Sequence, residues 1–277
     1  MAEIDTIITK EAFDEAVPAA KEPNGTIFNR MLPHIKETME DVLVDLLGDV
    51  GTQYIEQNRD SMLAKLLVRY VCLRAFLSHM RNLDLTLTAT GFGVVSTNNT
   101  APASKMRVDA LDGELRVQML LTLGKLMTNL YKLSGWYGQG LVIVDSLFTD
   151  FKFLTTFAGM ESPVAKEWET AFPVIIETER QVRELISDEY MKELITMVCT
   201  NSLSEPHAGI VFQIRRIVGQ AIRGDMNSVA EFKRRLLNTL ESDLTTFSTY
   251  AGSQAYEVNH FKPYENKKES SAFHFVG

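Results

Sequence analysis

The sequence predicts a mainly α-helical protein made of two duplicated helical-bundle halves, with one inserted β-hairpin and an extended C-terminal arm. Three observations carry that prediction. The first is an internal match: residues 28–55 line up with the stretch that begins at Trp168, an offset of about 140 residues, and a repeat of long period implies packed units of one kind. Pro33 falls on Pro173, Ile35 on Ile175, Glu37 on Glu177, Thr38 on Thr178 and Val42 on Val182. After one dropped residue, the run from Asp45 to Asp49 meets the run from Glu184 to Asp188. The second is apolar spacing of helical period over most of the chain, and the third is a switch to period two at residues 83–96.

A short helix is expected from Lys10, after Thr9. Glu22-Pro23-Asn24-Gly25 reads as a turn, and Thr26 can cap a helix toward Leu47, with a kink or a late start at Pro33 and an end at Gly48. Leu63, Leu66, Leu67, Tyr70, Leu73 and Leu77 place a helix over residues 61–80, with Arg69 and Arg74 on its solvated side. Residues 83–96 alternate apolar and Thr around Gly91-Phe92-Gly93, a hairpin pattern with no counterpart in the second half. A long helix follows over 104–133. Residues 135–159, rich in glycine and aromatics, read as a linker with short extended pieces. The second half then has helices over 167–186, a short one ending at Cys199, 209–222 and 227–249. In the last of these Val229, Phe232, Leu236, Leu237, Leu240, Leu244 and Phe247 form one buried stripe. The resulting units are residues 1–134 with the hairpin at about 83–97 inserted, the linker 135–159, the second half 160–252 and an arm over 253–277.

Composition narrows function. A net charge of −8 argues against a protein whose main work is coating nucleic acid. Cys72 and Cys199 lie in apolar helical stretches and read as buried free thiols. The acidic N-terminus lacks the pattern of a secretory signal, and no run reaches the roughly 20 apolar residues of a membrane span.

No pattern of residues proposes a reaction. His34, His79, His207, His260 and His274 are scattered, without metal-site spacing. Gly91-Phe92-Gly93 lacks the third glycine of a dinucleotide site, and Gly124-Lys125 lacks the spacing of a phosphate loop. The expectation is therefore no catalytic, cofactor or metal residue, and no enzyme. One basic cluster, Arg215, Arg216, Arg223, Lys233, Arg234 and Arg235, fits either a solvated, ion-paired helix face or contact with phosphates or an acidic partner. Spaced aromatics on the arm (Tyr256, Phe261, Tyr264, Phe273 and Phe275) suit grooves on a neighbouring subunit, as do Thr88, Thr90, Phe92 and Val94 on the hairpin.

The run Leu87-Thr88-Ala89-Thr90-Gly91-Phe92-Gly93-Val94-Val95-Ser96, with Ala101-Pro102-Ala103-Ser104-Lys105 after it, resembles uncharacterised structural proteins encoded by phages and prophages of gut bacteria. Each half, with its helix ending near Gly48-Asp49 or Ser187-Asp188, also resembles the small helical head–tail connector proteins of tailed phages. The duplication and the hairpin depart from a simple connector. What the resemblance implies is a virion protein of the neck or connector, present in the host cytoplasm during assembly. It would form a ring with itself and join portal, capsid or tail proteins near packaged DNA, with no membrane role. Neither resemblance implies catalytic residues. A tail-terminator, tail-completion or capsid-associated protein, or a DNA-processing factor, stays open as the alternative.

Overall fold

The structure is a computed structural model, and it describes residues 7–83, 85–88, 91–94, 104–136, 146–148, 150–161 and 163–260. The fold is mainly α. In order the elements are α1 (Lys10–Ala16), α2 (Thr26–Val42), a π-helical turn (Leu43–Leu47), α3 (Gly48–Gln57), α4 (Met62–His79), β1 (Leu85–Thr88), β2 (Gly91–Val94) and α5 (Lys105–Leu130). They continue with α6 (Phe153–Thr156), α7 (Ala165–Ile186), α8 (Asp188–Cys199), α9 (Glu205–Ile222), α10 (Met226–Ser242), α11 (Ser248–Ala251) and α12 (Gln254–Asn259). β1 and β2 pair antiparallel, Leu85 opposite Val94 and Thr88 opposite Gly91. The side chains of these strands lie outside the described residues.

Local chemistry explains the helix ends. The Thr9 hydroxyl accepts from Ala12 N–H at the start of α1, and Ser61 does the same for Ala64 at the start of α4. α2 starts differently from the Thr26 cap expected from the sequence. Gly25 takes the cap position with φ 68°, and the Glu22 carboxylate accepts from Ile27 N–H. α2 and α7 both run on through their prolines, Pro33 and Pro173, with no late start. Each proline leaves the carbonyl four residues back without its helical donor.

After α2 the backbone widens into the π turn and then reverses at Gly48, φ 59° and ψ −170°. At the matching place after α7, Ser187 holds φ 82° and ψ 151°, and its hydroxyl accepts from Tyr190 N–H to cap α8. Both residues occupy a region that side-chain-bearing residues rarely enter. Gly48 is there at little steric cost, whereas Ser187 offsets strain with a capping bond.

Helix pairing is alike in the two parts of the chain. α2 packs on α4 and α4 on α5; α7 packs on α9 and α9 on α10. A short N-terminal piece lies against the third helix each time. Phe13 of α1 meets Phe76 of α4 edge-on at 6.2 Å, and Phe157 after α6 meets Phe212 of α9 at 5.6 Å. α4 is buried around most of its circumference, so Arg69 and Arg74 are half-covered rather than fully solvated. Buried side chains from Ile8 to Tyr250 join in one hydrophobic cluster. Each large apolar side chain in it contributes on the order of 1.5–3 kcal/mol.

Two expectations are corrected. Residues 135–159 are not merely a linker: Trp136, Leu147, Phe148, Phe151 and Leu154 are core residues, and Phe153–Thr156 is helical. The aromatic rings of this stretch are buried because they join the shared hydrophobic cluster. The arm does not begin at residue 253 either. The Ser253 hydroxyl caps α12 by accepting from Tyr256 N–H, so residues 253–259 belong to the helical part. Residues 261–277 lie outside the described residues.

Candidate interaction surfaces

The basic cluster read from the sequence divides into two populations. Arg215, Arg223 and Lys233 are committed to the protein's own structure. Arg215 donates to the carbonyl of Leu147 through Nε and Nη2, at 3.3 and 3.2 Å, and stacks over Phe153 at 4.4 Å. Arg223 donates to Ala158 O at 2.7 Å, beside Gly159, where an added Cβ would collide with the guanidinium. Lys233 donates to Gln181 Oε1 at 2.8 Å, joining α10 to α7. Arg216, Arg234 and Arg235 instead point outward. Among the described residues Arg216 and Arg234 have no carboxylate partner, and Arg235 pairs with Glu231 on its own helix.

Arg216 and Arg235 lie 4.3 and 5.7 Å from the ring centroid of Phe232. The three residues line a groove of about 420 Å³ between α9 and α10, bounded also by Gln213, Asn238 and Thr239. Gln213 donates to the Thr239 hydroxyl at 3.1 Å, holding the two helices in register. The arrangement suits planar anionic groups, which guanidinium groups grip with two parallel hydrogen bonds.

Sequence reading missed the residue that organises the interior here. Glu179 of α7 is 3% exposed, and its carboxylate accepts from Leu147 N–H at 2.8 Å. Burial pulls the Arg215 guanidinium down to about 10, and the Glu179 charge opposes that shift. A signal was present: Ile175, Glu179, Val182 and Ile186 share one helical stripe, so a carboxylate stood in a core register.

The other sequence candidates are placed as follows. Tyr256 is half-buried, and its ring meets Tyr250 edge-on at 5.5 Å and stacks on His260 at 4.1 Å within the same chain. Thr88, Phe92 and Val94 belong to β1 and β2, with side chains outside the described residues. Thr90, Phe261, Tyr264, Phe273 and Phe275 lie outside them altogether.

The histidines take local roles. His207 is buried against Tyr190 and Phe247, with Ser204 Oγ 2.7 Å from its Nδ1. His34 and His79 stack with centroids 3.6 Å apart. Among the described residues no group of three or more His, Cys, Asp or Glu could hold a metal ion. Nor is any helix among them long and apolar enough to cross a membrane.

Residues 35–137 match a family of unknown function, DUF6712. The match runs from the third turn of α2 through α3, α4, the two strands and α5, and ends one residue after the buried Trp136. It covers the first set of packed helices and not the second. No curated protein and no solved structure matches the chain.

Proposed function

We propose that this chain is a bacteriophage virion structural protein of the head–tail connector or neck region, working by contact rather than by catalysis. It would form a ring and join portal or capsid to tail components in the host cytoplasm. The observation that carries a contact role is the exposure of large apolar side chains on well-packed helices. Val44 is 80% exposed and Phe212 53% exposed, although the core beneath each helix is filled. The polar groups that converge inside, Glu179 and Arg215, both bind the backbone of Leu147. The phage assignment rests on the resemblance of the run around Gly91-Phe92-Gly93.

The finer architecture belongs to the same proposal. The two parts of the chain are duplicated halves, supported by matching helix pairing and by the shared positive φ at Gly48 and Ser187. The β1–β2 segment is an insertion into the first half, and it serves assembly together with residues 261–277.

The test is made in the phage or prophage that encodes the chain. A truncation after His260, or Phe273→Ser with Phe275→Ser, is expected to leave a folded, helical protein and to yield heads and tails that stay separate by electron microscopy. Intact particles from both variants would remove the arm from the assembly role. Particles that lack this chain altogether by mass spectrometry would end the virion reading.

A further inference from the structure

The strongest unexplained surface is opposite in charge to the basic groove. Along α2 and the π turn, Glu37, Glu40, Asp41 and Asp45 all face solvent around Val44. Glu37, Asp41 and Asp45 follow one another at intervals of four, with Glu40 three after Glu37, which gathers them on one side of the helix. Among the described residues Glu40, Asp41 and Asp45 have no ion-pair partner, and Glu37 has only His34, 4.0 Å away. Like charges at such spacing repel, so the ridge is held together at a cost to the isolated chain. The π turn at Leu43–Leu47 inserts an extra residue into the helical register, a feature common at functional positions, and here it carries the outward Val44.

We infer that the chain associates head to tail with copies of itself, the acidic ridge around Val44 of one copy seating in the α9–α10 groove of the next. This rests on the homo-oligomer reading above and adds the two surfaces that make the contact. The groove offers what the ridge lacks: among the described residues Arg216 has no carboxylate partner, and Arg235 is held only by an exposed pair on its own helix. It also offers apolar surface for Val44. The Phe232 ring lies near both guanidinium groups, and exposed Phe212 sits one turn before Arg216 on α9. An apolar centre with a charged rim is the usual make-up of a specific interface.

Nucleic acid fits the groove less well. Half of the basic cluster is consumed internally, and the chain as a whole carries −8. A phosphate track needs several free cations along its length. Because ridge and groove are different surfaces, the contact is heterologous. Repetition of it produces a closed ring when the rotation closes and a filament when it does not.

The full chain is tested by sedimentation velocity over a range of concentration and salt. Wild type is expected to associate, more strongly at low salt. Asp41→Arg with Asp45→Arg, and separately Arg216→Glu with Arg235→Glu, should each weaken association by about tenfold or more. The chain carrying all four changes should associate again, since the charges are exchanged rather than removed. That recovery distinguishes the contact from damage to folding.

Reversal variants that assemble like wild type would overturn these surfaces while leaving the oligomer reading intact. A four-fold variant that stays dissociated although its melting curve is normal would overturn them too. Binding of a fluorescent single-stranded oligonucleotide that is lost in the groove reversal, with assembly unchanged, would assign the groove to nucleic acid instead. A wild-type chain that stays monomeric at every concentration would defeat the contact itself, and the particle composition would still decide the virion reading on its own.

Discussion

Glu179 and Arg215 hold the same residue from two sides: Glu179 accepts the Leu147 N–H at 2.8 Å, and Arg215 donates to the Leu147 carbonyl at 3.2 Å. A peptide unit entering a helical core would otherwise bring two unsatisfied polar groups with it. The pair supplies both partners and lets Leu147 and Phe148 be buried.

Loss of both members should therefore cost less than the sum of the two single losses. Glu179→Ala leaves Arg215 without its counter-charge and is expected to cost about 3 kcal/mol in urea unfolding. Glu179→Leu combined with Arg215→Met should be less damaging than the sum of the single changes. Additive effects in that double-mutant cycle would show that the two side chains act independently.

Gly48 and Ser187 share a backbone conformation and differ in side chain, so exchanging them should have opposite effects. Gly48→Ser is expected to destabilise by about 1–3 kcal/mol, because the new side chain must enter a glycine region. Ser187→Gly relieves the same strain, loses the bond to Tyr190 N–H and gains chain entropy in the unfolded state. A glycine cap costs only a few tenths of a kcal/mol, so thermal melting should show a net rise in Tm for Ser187→Gly. A fall would mean that the hydroxyl outweighs the backbone strain.

Asp225 gives an acid dependence of known sign. The Ser228 hydroxyl and then the Ser228 N–H bond its carboxylate at the start of α10, and together they hold it below the usual carboxylate range. A carboxyl depressed in the folded state contributes stability above its unfolded value of about 3.9, and that contribution fades as pH falls through the folded value. Asp225→Ala should lower Tm at neutral pH, and the gap from wild type should narrow below about pH 4. A gap that stays constant down to pH 2 would rule out the carboxylate as its source.

The thiols give the alkaline counterpart. Burial pushes Cys72 up to about 12 and Cys199 up to about 11, the latter moderated by a hydrogen bond with Tyr131. An acid whose folded value is raised adds stability below its unfolded value of about 8.5, and that stability is lost as pH rises past it. At pH 8 iodoacetamide should label both thiols at least about tenfold more slowly in the native protein than in guanidinium, since only the thiolate reacts. Equal rates would place one of the thiols at the surface.

Helix period carried most of the fold. Val229, Leu236 and Leu240 could be read from spacing as the buried face of α10, but the helix stops at Ser242, short of Leu244 and Phe247, and α4 is buried on more sides than spacing told. Residues 135–159 misled for want of a period. The rings of Trp136, Phe148 and Phe151 gave no sign that they join the hydrophobic cluster, and glycines beside them suggested a spacer. The basic cluster was legible as charge but not as geometry. Arg215 and Arg216 are neighbours in sequence, yet one turns inward to Leu147 and the other outward to Phe232. Helical rotation of about 100° per residue separates them, and which side faces in depends on packing that no single helix reveals.

The π turn leaves carbonyl groups turned away from the helical ladder, and the indole N–H of Trp136 answers two of them, Leu46 O at 3.2 Å and Leu47 O at 2.9 Å. Trp136 is thus buried and bonded to the turn that carries the outward Val44, and the chain has just one other tryptophan, Trp168. A Trp168→Phe protein would carry its own fluorophore at the joint. Its emission wavelength would register any rearrangement of the bulge as copies meet, with no dye attached and no surface altered.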